Sequence, residues 1–202
     1  MSLIPINLAI EDELSEVVLL KLLASSNRYA VGSCFRRGGY GYLKKTIDGW
    51  NKASKSIPFV ILTDLDKSEC PIALLEQWLT VPRNSNLLFR VAVREVESWL
   101  LADRVNFSTF LKIPELLFPD NSDLLSNPKK TLVELAKKSK IREIRESLTP
   151  RNNSTAQQGP EYNSCLGRFV TDHWDSKLAS QNSASLASTI HRFASFTPVW
   201  EE

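Results

Sequence analysis

Apolar residues are gathered into short runs along the first half of the chain, and polar segments separate these runs. Four runs are rich in β-branched and other large apolar residues: positions 4–10, 29–34, 59–63 and 87–93. Four further segments have the composition and spacing of helices: positions 15–24, 43–53, 72–79 and 95–102. Strands and helices in alternation predict an α/β fold with a mainly parallel four-stranded sheet flanked by helices.

The pattern changes in the second half of the chain. Prolines first divide it into short helical pieces, and positions 129–147 then predict one long helix. Positions 151–159, RNNSTAQQG, hold few apolar residues and predict a segment that is mobile or ordered by a partner. Positions 162–196 predict two more helices. We therefore predict a core domain over residues 1–104 and a helical C-terminal part over residues 105–202 that packs on this core.

The composition says more about the cellular compartment of the protein than about its function. With 202 residues and a net charge of +2, the chain can form a large core and has no overall bias towards polyanions. Its cysteines, Cys34, Cys70 and Cys165, are odd in number and far apart, which indicates a reducing compartment rather than structural zinc. No apolar run reaches the roughly 18 residues of a membrane span, and the N-terminus lacks the features of a signal peptide. We expect a cytoplasmic protein without membrane contact.

Carboxylates follow three of the four predicted strands. Glu11 comes after the first strand, Asp64 and Asp66 after the third, and Glu95 and Glu97 after the fourth. Because open α/β sheets bind ligands at the carboxyl ends of their strands, these acids predict one acidic pocket. Such a pocket suits Mg²⁺ or Mn²⁺, which prefer oxygen ligands, and would catalyse displacement at phosphorus. The alternative is that each acid only caps a helix or lies in a solvated turn.

Basic residues accompany the predicted pocket in two places. They are Arg36, Arg37, Lys44 and Lys45 around the segment RRGGYGY, and Lys129 and Lys130 at the start of a later helix. Both groups are candidates for contacts with the phosphates of nucleic acid, and the alternative for both is a solvated helix surface. The spacing GxxxxGK[ST] is absent, so we do not expect this chain to hydrolyse ATP.

This combination of acids resembles the Toprim fold, the Rossmann-like metal-binding domain shared by topoisomerases, primases and OLD-type nucleases. That family has a Glu after its first strand and Asp-x-Asp after its third, which match Glu11 and the pair Asp64 and Asp66. The chain is more closely similar to small stand-alone Toprim-like proteins that are often encoded beside AAA or SMC-like ATPases in bacterial defence loci. The similar segments cover most of the chain: RRGGYGYLK, VILTDLDKSECP, RVAVREVESWLLAD, NPKKTL and GPEYNSCLGRFV.

The resemblance implies a metal-dependent nuclease, with DNA favoured over RNA as its substrate. It further implies the nuclease subunit of a two-component antiviral system, with an ATPase as partner and a homo-oligomer as an open alternative to a monomer. Carried over onto this sequence, it assigns catalysis to Glu11, Asp64, Asp66 and Glu97. Glu95 and Glu97 are both candidates for a second metal, but acids two residues apart at a helix start cannot both point equally into one site. Glu97 is favoured as the ligand, with Glu95 supporting the site or capping the helix.

One departure from the family keeps other functions open. Toprim proteins commonly have Gly directly after the first Glu, whereas this chain has Asp12, which could join the metal site or distort the turn. A non-catalytic docking or regulatory subunit of an ATPase complex would need the fold alone. A HAD-type phosphatase would use Asp64, Asp66 and Ser68, but it would leave Glu11 without a role.

Overall fold

A computed structural model of the chain describes residues 2–36, 38–152 and 154–200. The chain divides into two compact units. The first is formed by the chain up to Ala92 together with the stretch from Thr189 onward, and the second runs from Val93 to Ser188.

The first unit is an α/β sheet structure. Its strands and helices alternate in the order β1 (Ile4–Ile10), α1 (Glu13–Ser26), β2 (Tyr29–Phe35), α2 (Gly39–Ala53), β3 (Phe59–Asp64), α3 (Pro71–Trp78) and β4 (Leu87–Ala92). All four strands are parallel, and their order across the sheet is β2-β1-β3-β4. The predicted α/β class and the four-stranded parallel sheet are therefore confirmed.

The two central strands are the most apolar part of this unit. The side chains of β3 are buried from Phe59 through Thr63, and only Asp64 at its end is partly exposed. Helix α1 packs against β2 and β3, while α2 packs against β1 and β3. Burial on both faces explains why β3 reads as an unbroken apolar run, since its side chains meet helices in either direction.

The second unit is helical. It contains α4 (Val96–Leu101), α5 (Arg104–Leu111), two short 3₁₀ turns (Glu115–Leu117 and Ser122–Leu124), α6 (Pro128–Lys137), α7 (Arg142–Leu148), α8 (Tyr162–Asp172), α9 (Ser176–Ala179) and the first part of α10 (Ala184–Ser195). Every residue of α4 is buried, and Trp99 at its centre is wholly enclosed. The rings of Phe107 and Phe169 stack on each other with centroids 4.4 Å apart.

The prediction of one long helix over residues 129–147 is wrong, because this segment forms two helices, α6 and α7, with a break between them. Ser139 lies in the break, where its hydroxyl donates a hydrogen bond to the Leu111 carbonyl at 2.8 Å. The guanidinium of Arg145 donates to the Ser139 carbonyl at 2.6 Å. Both hydrogen bonds involve Ser139, and they stabilise the break because they replace bonds that its backbone and hydroxyl would make within a continuous helix.

The compact units divide the chain differently from the predicted domains. The continuous part of the first unit ends at Ala92 rather than near Arg104. The first unit also includes the end of the chain from Thr189 onward. Compactness alone does not establish which segments fold independently, so the boundary near Arg104 stays a prediction. Within the described ranges, no helix combines the length and the apolar character that crossing a membrane requires.

Candidate functional site

The ends of β1 and β3 bring Glu11 and Thr63 together. Ile10 of β1 is the register partner of Leu62 in β3, so the next residue along each strand lies beside the other. The hydroxyl of Thr63 donates a hydrogen bond to Oε1 of Glu11, and the backbone N–H of Asp64 donates to the same oxygen at 3.3 Å. Two donors from β3 thereby fix one carboxylate oxygen of Glu11 at the carboxyl edge of the sheet.

A tight turn after β3 positions Asp66. Leu65 is buried and its N–H donates to the Ala92 carbonyl at 2.9 Å, which extends the pairing of β3 with β4 by one residue. The N–H of Ser68 then donates to the Leu65 carbonyl at 2.9 Å and closes the turn. Asp66 itself is exposed and has a left-handed backbone with φ of 48°, a conformation that Asp tolerates better than most residues.

Electrostatics link the three acids of this edge. Burial raises the pKa of Glu11, and the negative charges of Asp66 and Asp12 raise this pKa further. The hydrogen bonds from Thr63 and from the Asp64 backbone act in the opposite direction. The raised pKa means that the ionised Glu11 is disfavoured in its present surroundings, and either a proton or a nearby cation would relieve this cost.

Asp12 has a structural role at the start of α1. It is the N-cap residue, and its carboxylate accepts a hydrogen bond from the Ser15 N–H at 2.8 Å. Its backbone is extended, as is usual at this position. Asp12, which stands where Toprim proteins commonly have Gly, thus serves as a helix cap, and the turn after β1 forms with it.

The acids at this edge are of the chemical type that hard divalent cations bind. In residues 2–36, 38–152 and 154–200, no group of three or more His, Cys, Asp or Glu side chains is arranged to hold a metal ion. Mg²⁺ nevertheless commonly needs only one or two carboxylates, with water and substrate phosphate completing its shell. Glu11, Asp64 and Asp66 have carboxylates of this kind, and the pKa of Glu11 is raised first by burial and further by the negative charges of Asp66 and Asp12.

The other two predicted ligands, Glu95 and Glu97, lie in the second unit. Glu95 precedes α4, and its Oε2 accepts a hydrogen bond from the backbone N–H of Lys129 in the first turn of α6 at 2.8 Å. Glu97 is 3% exposed, and its Oε1 accepts a hydrogen bond from the Tyr162 hydroxyl at 3.0 Å. The ammonium of Lys129 lies 3.5 Å from the same oxygen of Glu97. Within this unit both acids therefore support the packing of α4, α6 and α8.

The predicted phosphate-binding residues have different surroundings. Arg36 is ion-paired with Glu16 at 3.0 Å and approaches Glu13 at 4.0 Å. Lys44 and Lys45 are exposed on α2. Arg37 lies outside the described residues.

The lysines at the start of α6 also differ from each other. Lys129 is partly buried against Glu97, as described above, whereas Lys130 is exposed. Three of the predicted lysines are therefore exposed to solvent: Lys44, Lys45 and Lys130. Lys129 differs from them, because its ammonium pairs with the buried Glu97.

Two residues that contact the predicted acids, Thr63 and Tyr162, were not assigned a role from the sequence. The sequence gives little indication of a role for Thr63, because Thr is common in strands. Its position beside Glu11 becomes visible only from the pairing register of β1 and β3. Tyr162 belongs to the segment GPEY, but only the fold of the second unit brings its hydroxyl to Glu97. Both are contacts between residues far apart in sequence, which periodicity does not predict.

The fold and this edge define an α/β protein whose parallel sheet has acidic residues, Glu11, Asp64 and Asp66, at the carboxyl ends of its two central strands. Comparisons with models of protein families, with curated proteins and with solved structures returned no match.

Proposed function

We propose that this protein is a metal-dependent nuclease that hydrolyses phosphodiester bonds of nucleic acid, with DNA favoured over RNA. The observation that carries the proposal is the contact of Glu11, at the end of β1, with Thr63 and Asp64 at the end of β3. Acids contributed by two adjacent parallel strands, with a third in the next turn, are the arrangement expected of a Toprim-type site.

Glu11, Asp64 and Asp66 would hold the cation through their carboxylates. When bound there, Mg²⁺ or Mn²⁺ would supply Lewis-acid stabilisation of the charge that develops around phosphorus. Thr63 keeps Glu11 in one orientation by donating to Oε1, which leaves the second oxygen, Oε2, for other interactions. Asp66 is exposed at the edge of the sheet, where an extended substrate can reach it.

The resemblance extends the proposal to partners and site residues in the second unit. It supports an AAA or SMC-like ATPase as the partner of the nuclease and a role in antiviral defence. It also supports Glu97 as a further catalytic acid and Glu95 as a further ligand. Glu97 is buried and contacts Tyr162 and Lys129, so this assignment requires Glu97 to serve in catalysis while it keeps both contacts.

The need for Glu11 is what distinguishes this proposal from a HAD-type phosphatase. A phosphatase of that class would depend on Asp64 and Asp66 but would not need Glu11. Turnover of a generic phosphate ester that survives Glu11→Gln would favour the phosphatase, whereas loss of plasmid cleavage in the same variant would favour the nuclease.

Plasmid cleavage in Mn²⁺ tests the proposal directly. Wild-type protein is expected to nick or linearise the plasmid, and Asp64→Ala is expected to reduce the rate by more than about 100-fold, since one of few charged ligands is lost. Glu76→Gln is the matched control, because Glu76 is an exposed acid on α3 that lies outside the cluster. Cleavage that Asp64→Ala and Glu76→Gln affect equally would contradict the assignment of the site.

A further inference from the structure

A cavity of about 550 Å³ lies beside Asp66 in the first unit. The start of α2, the turn after β3 and the helix α3 form its walls, through Tyr40, Asp66, Lys67, Ser68, Glu69 and Gln77. Pockets for small molecules and for parts of larger ligands commonly have volumes of roughly 300–1,000 Å³. Because Asp66 is also one of the three acids proposed to hold the cation, the cavity adjoins the proposed metal site.

The aromatic wall of this cavity is held rigidly. The Tyr40 ring lies edge-on to the ring of Trp78, with centroids 4.9 Å apart and an interplanar angle of 89°. The indole N–H of Trp78 donates a hydrogen bond to the Tyr40 hydroxyl at 3.1 Å. Trp78 is in turn buried and packs edge-on against Phe89 of β4. Tyr40 therefore keeps one orientation without a ligand, and a ligand that stacks on it loses little side-chain entropy.

The remaining walls suit the polar edge of a nucleobase. Gln77 is exposed on α3, and its amide offers both a hydrogen-bond donor and an acceptor. Lys67 adds an exposed cation next to Asp66, within the same turn. A π face for stacking, an amide for the base edge and a cation for phosphate are the groups by which proteins bind single-stranded nucleic acid.

We propose that this cavity binds an unpaired nucleobase next to the phosphodiester that is cleaved, so that the substrate is single-stranded nucleic acid, a frayed strand end or a transiently unpaired segment of a supercoiled plasmid. The inference rests on the proposed nuclease function and specifies its substrate. Bases within a duplex are stacked on their neighbours, and only an unpaired base can present its face to Tyr40. Tyr40 and Gln77 are the residues that select this substrate.

The inference is tested by binding to the full-length protein with Asp64→Asn as the parent, so that cleavage does not consume the probe. The probes are a fluorescein-labelled oligothymidylate and a labelled duplex of the same length, and fluorescence anisotropy in Mg²⁺ measures their affinities. The parent is expected to bind the single strand more tightly. Addition of Tyr40→Ala is expected to weaken this binding by about 5- to 150-fold, the effect of one lost base–aromatic stack.

Three further variants separate stacking from damage to the fold. Tyr40→Phe keeps the ring and is expected to bind like the parent. Gln77→Glu leaves the packing of Tyr40 and Trp78 intact, and its negative charge in the cavity wall is expected to weaken binding. Tyr42→Ala is the matched control, because Tyr42 lies on the same helix and packs edge-on against Trp50 but does not line this cavity.

Single-strand affinity that is unchanged in both Tyr40→Ala and Gln77→Glu would overturn the inference, as would tighter binding of the duplex by the parent. Neither result would affect cleavage of plasmid by the wild-type protein, so the proposed function would stand. Wild-type protein that cuts no nucleic acid, with a parent that binds neither probe, would overturn both.

Discussion

The hydrogen bond from Thr63 to Glu11 joins the two central strands at the place where we propose that chemistry occurs. It links a buried hydroxyl to a carboxylate whose ionised form is already disfavoured by burial and by Asp66 and Asp12. A donor in this position stabilises the ionised acid and fixes its direction. Thr63 is therefore a positioning residue for Glu11.

Removal of the Thr63 hydroxyl tests this positioning role. Thr63→Val keeps the shape of the buried side chain, and we expect it to lower Mn²⁺ affinity and cleavage by about 10- to 100-fold, as is usual when a group that orients a metal ligand is lost. Thr63→Ser restores a donor and is the matched control. Calorimetric titration with Mn²⁺ measures the affinity, and equal affinities in the Val and Ser variants would show that the hydroxyl does not orient Glu11.

The raised pKa of Glu11 has a consequence for stability in the absence of metal. A carboxyl group whose pKa rises on folding contributes stability below its unfolded value of about 4.3, and this contribution is lost as the pH rises through the folded value. At neutral pH the ionised Glu11 thus costs stability. We expect metal-free Glu11→Gln to unfold at a higher temperature than wild type at neutral pH, and the difference to shrink towards pH 4.

Thermal unfolding in EDTA across this pH range measures the effect, and Glu76→Gln serves again as the control for an exposed acid. A Glu11→Gln variant that is less stable than wild type at neutral pH would show that the ionised carboxylate stabilises the fold, contrary to the burial and charge described here. Added Mn²⁺ is expected to stabilise wild type and to leave Glu11→Gln unchanged, because the variant has lost one ligand charge.

At the scale of the elements, the start of α1 places a helix cap, Asp12, directly after the proposed catalytic acid, Glu11. Asp12 directly follows Glu11, yet its carboxylate is used by the Ser15 N–H. Loss of an N-cap side chain costs about 0.5–2 kcal/mol of folding free energy. We expect Asp12→Ala to be destabilised by this amount and to keep its rate of cleavage, with stability measured by urea unfolding. Asp12→Asn preserves the cap, so a large loss of cleavage in this variant would give Asp12 a place in the site.

The elements of the sheet could be predicted from the sequence, and the reasons are local. Each strand is a short apolar run that polar or turn-forming residues interrupt, and β1 begins and ends where the pattern places it. Helix α2 begins earlier than predicted, because Gly39 and Gly41 lie in its first turn instead of in a loop. Glycine weakens the helical signal without preventing a helix when tertiary packing favours one.

The environments of the second-unit acids could not be predicted in the same way. Glu97 lies one residue after the start of α4, a position where a carboxylate is usually solvated at a helix N-terminus. Its burial depends on Tyr162 and Lys129, which come from α8 and α6. Such contacts join segments that are far apart in the sequence, and no local pattern encodes them.

At the scale of the whole molecule, the end of the chain is part of the first unit. Arg28 donates hydrogen bonds to the carbonyls of Phe193 and Phe196 at 2.8 Å each, and the Tyr29 hydroxyl donates to the Phe193 carbonyl at 2.7 Å. Both phenylalanines are buried. Asn86 exchanges two hydrogen bonds with the backbone of Val199. The sheet thus relies on residues that lie more than a hundred positions beyond the end of β4.

A fragment of residues 1–104, the core domain predicted from the sequence, would lack these contacts. Burial of one Phe side chain contributes about 1.5–3 kcal/mol, so loss of both removes a large part of a typical folding free energy. We expect this fragment to show no cooperative thermal unfolding by circular dichroism, in contrast to the full chain. A fragment that unfolds cooperatively near the temperature of the full chain would support the predicted boundary near Arg104.

The central claim is that Glu11, Asp64 and Asp66 form a divalent-cation site that cleaves nucleic acid. Calorimetric titration of Mn²⁺ into wild type and Asp64→Ala, with plasmid cleavage followed on the same samples, tests it most directly. We predict that wild type binds Mn²⁺ and cuts, and that the variant, although folded, does neither. Wild-type protein that binds no Mn²⁺ at any concentration that supports nuclease assays would contradict the claim and favour a docking subunit without catalytic activity.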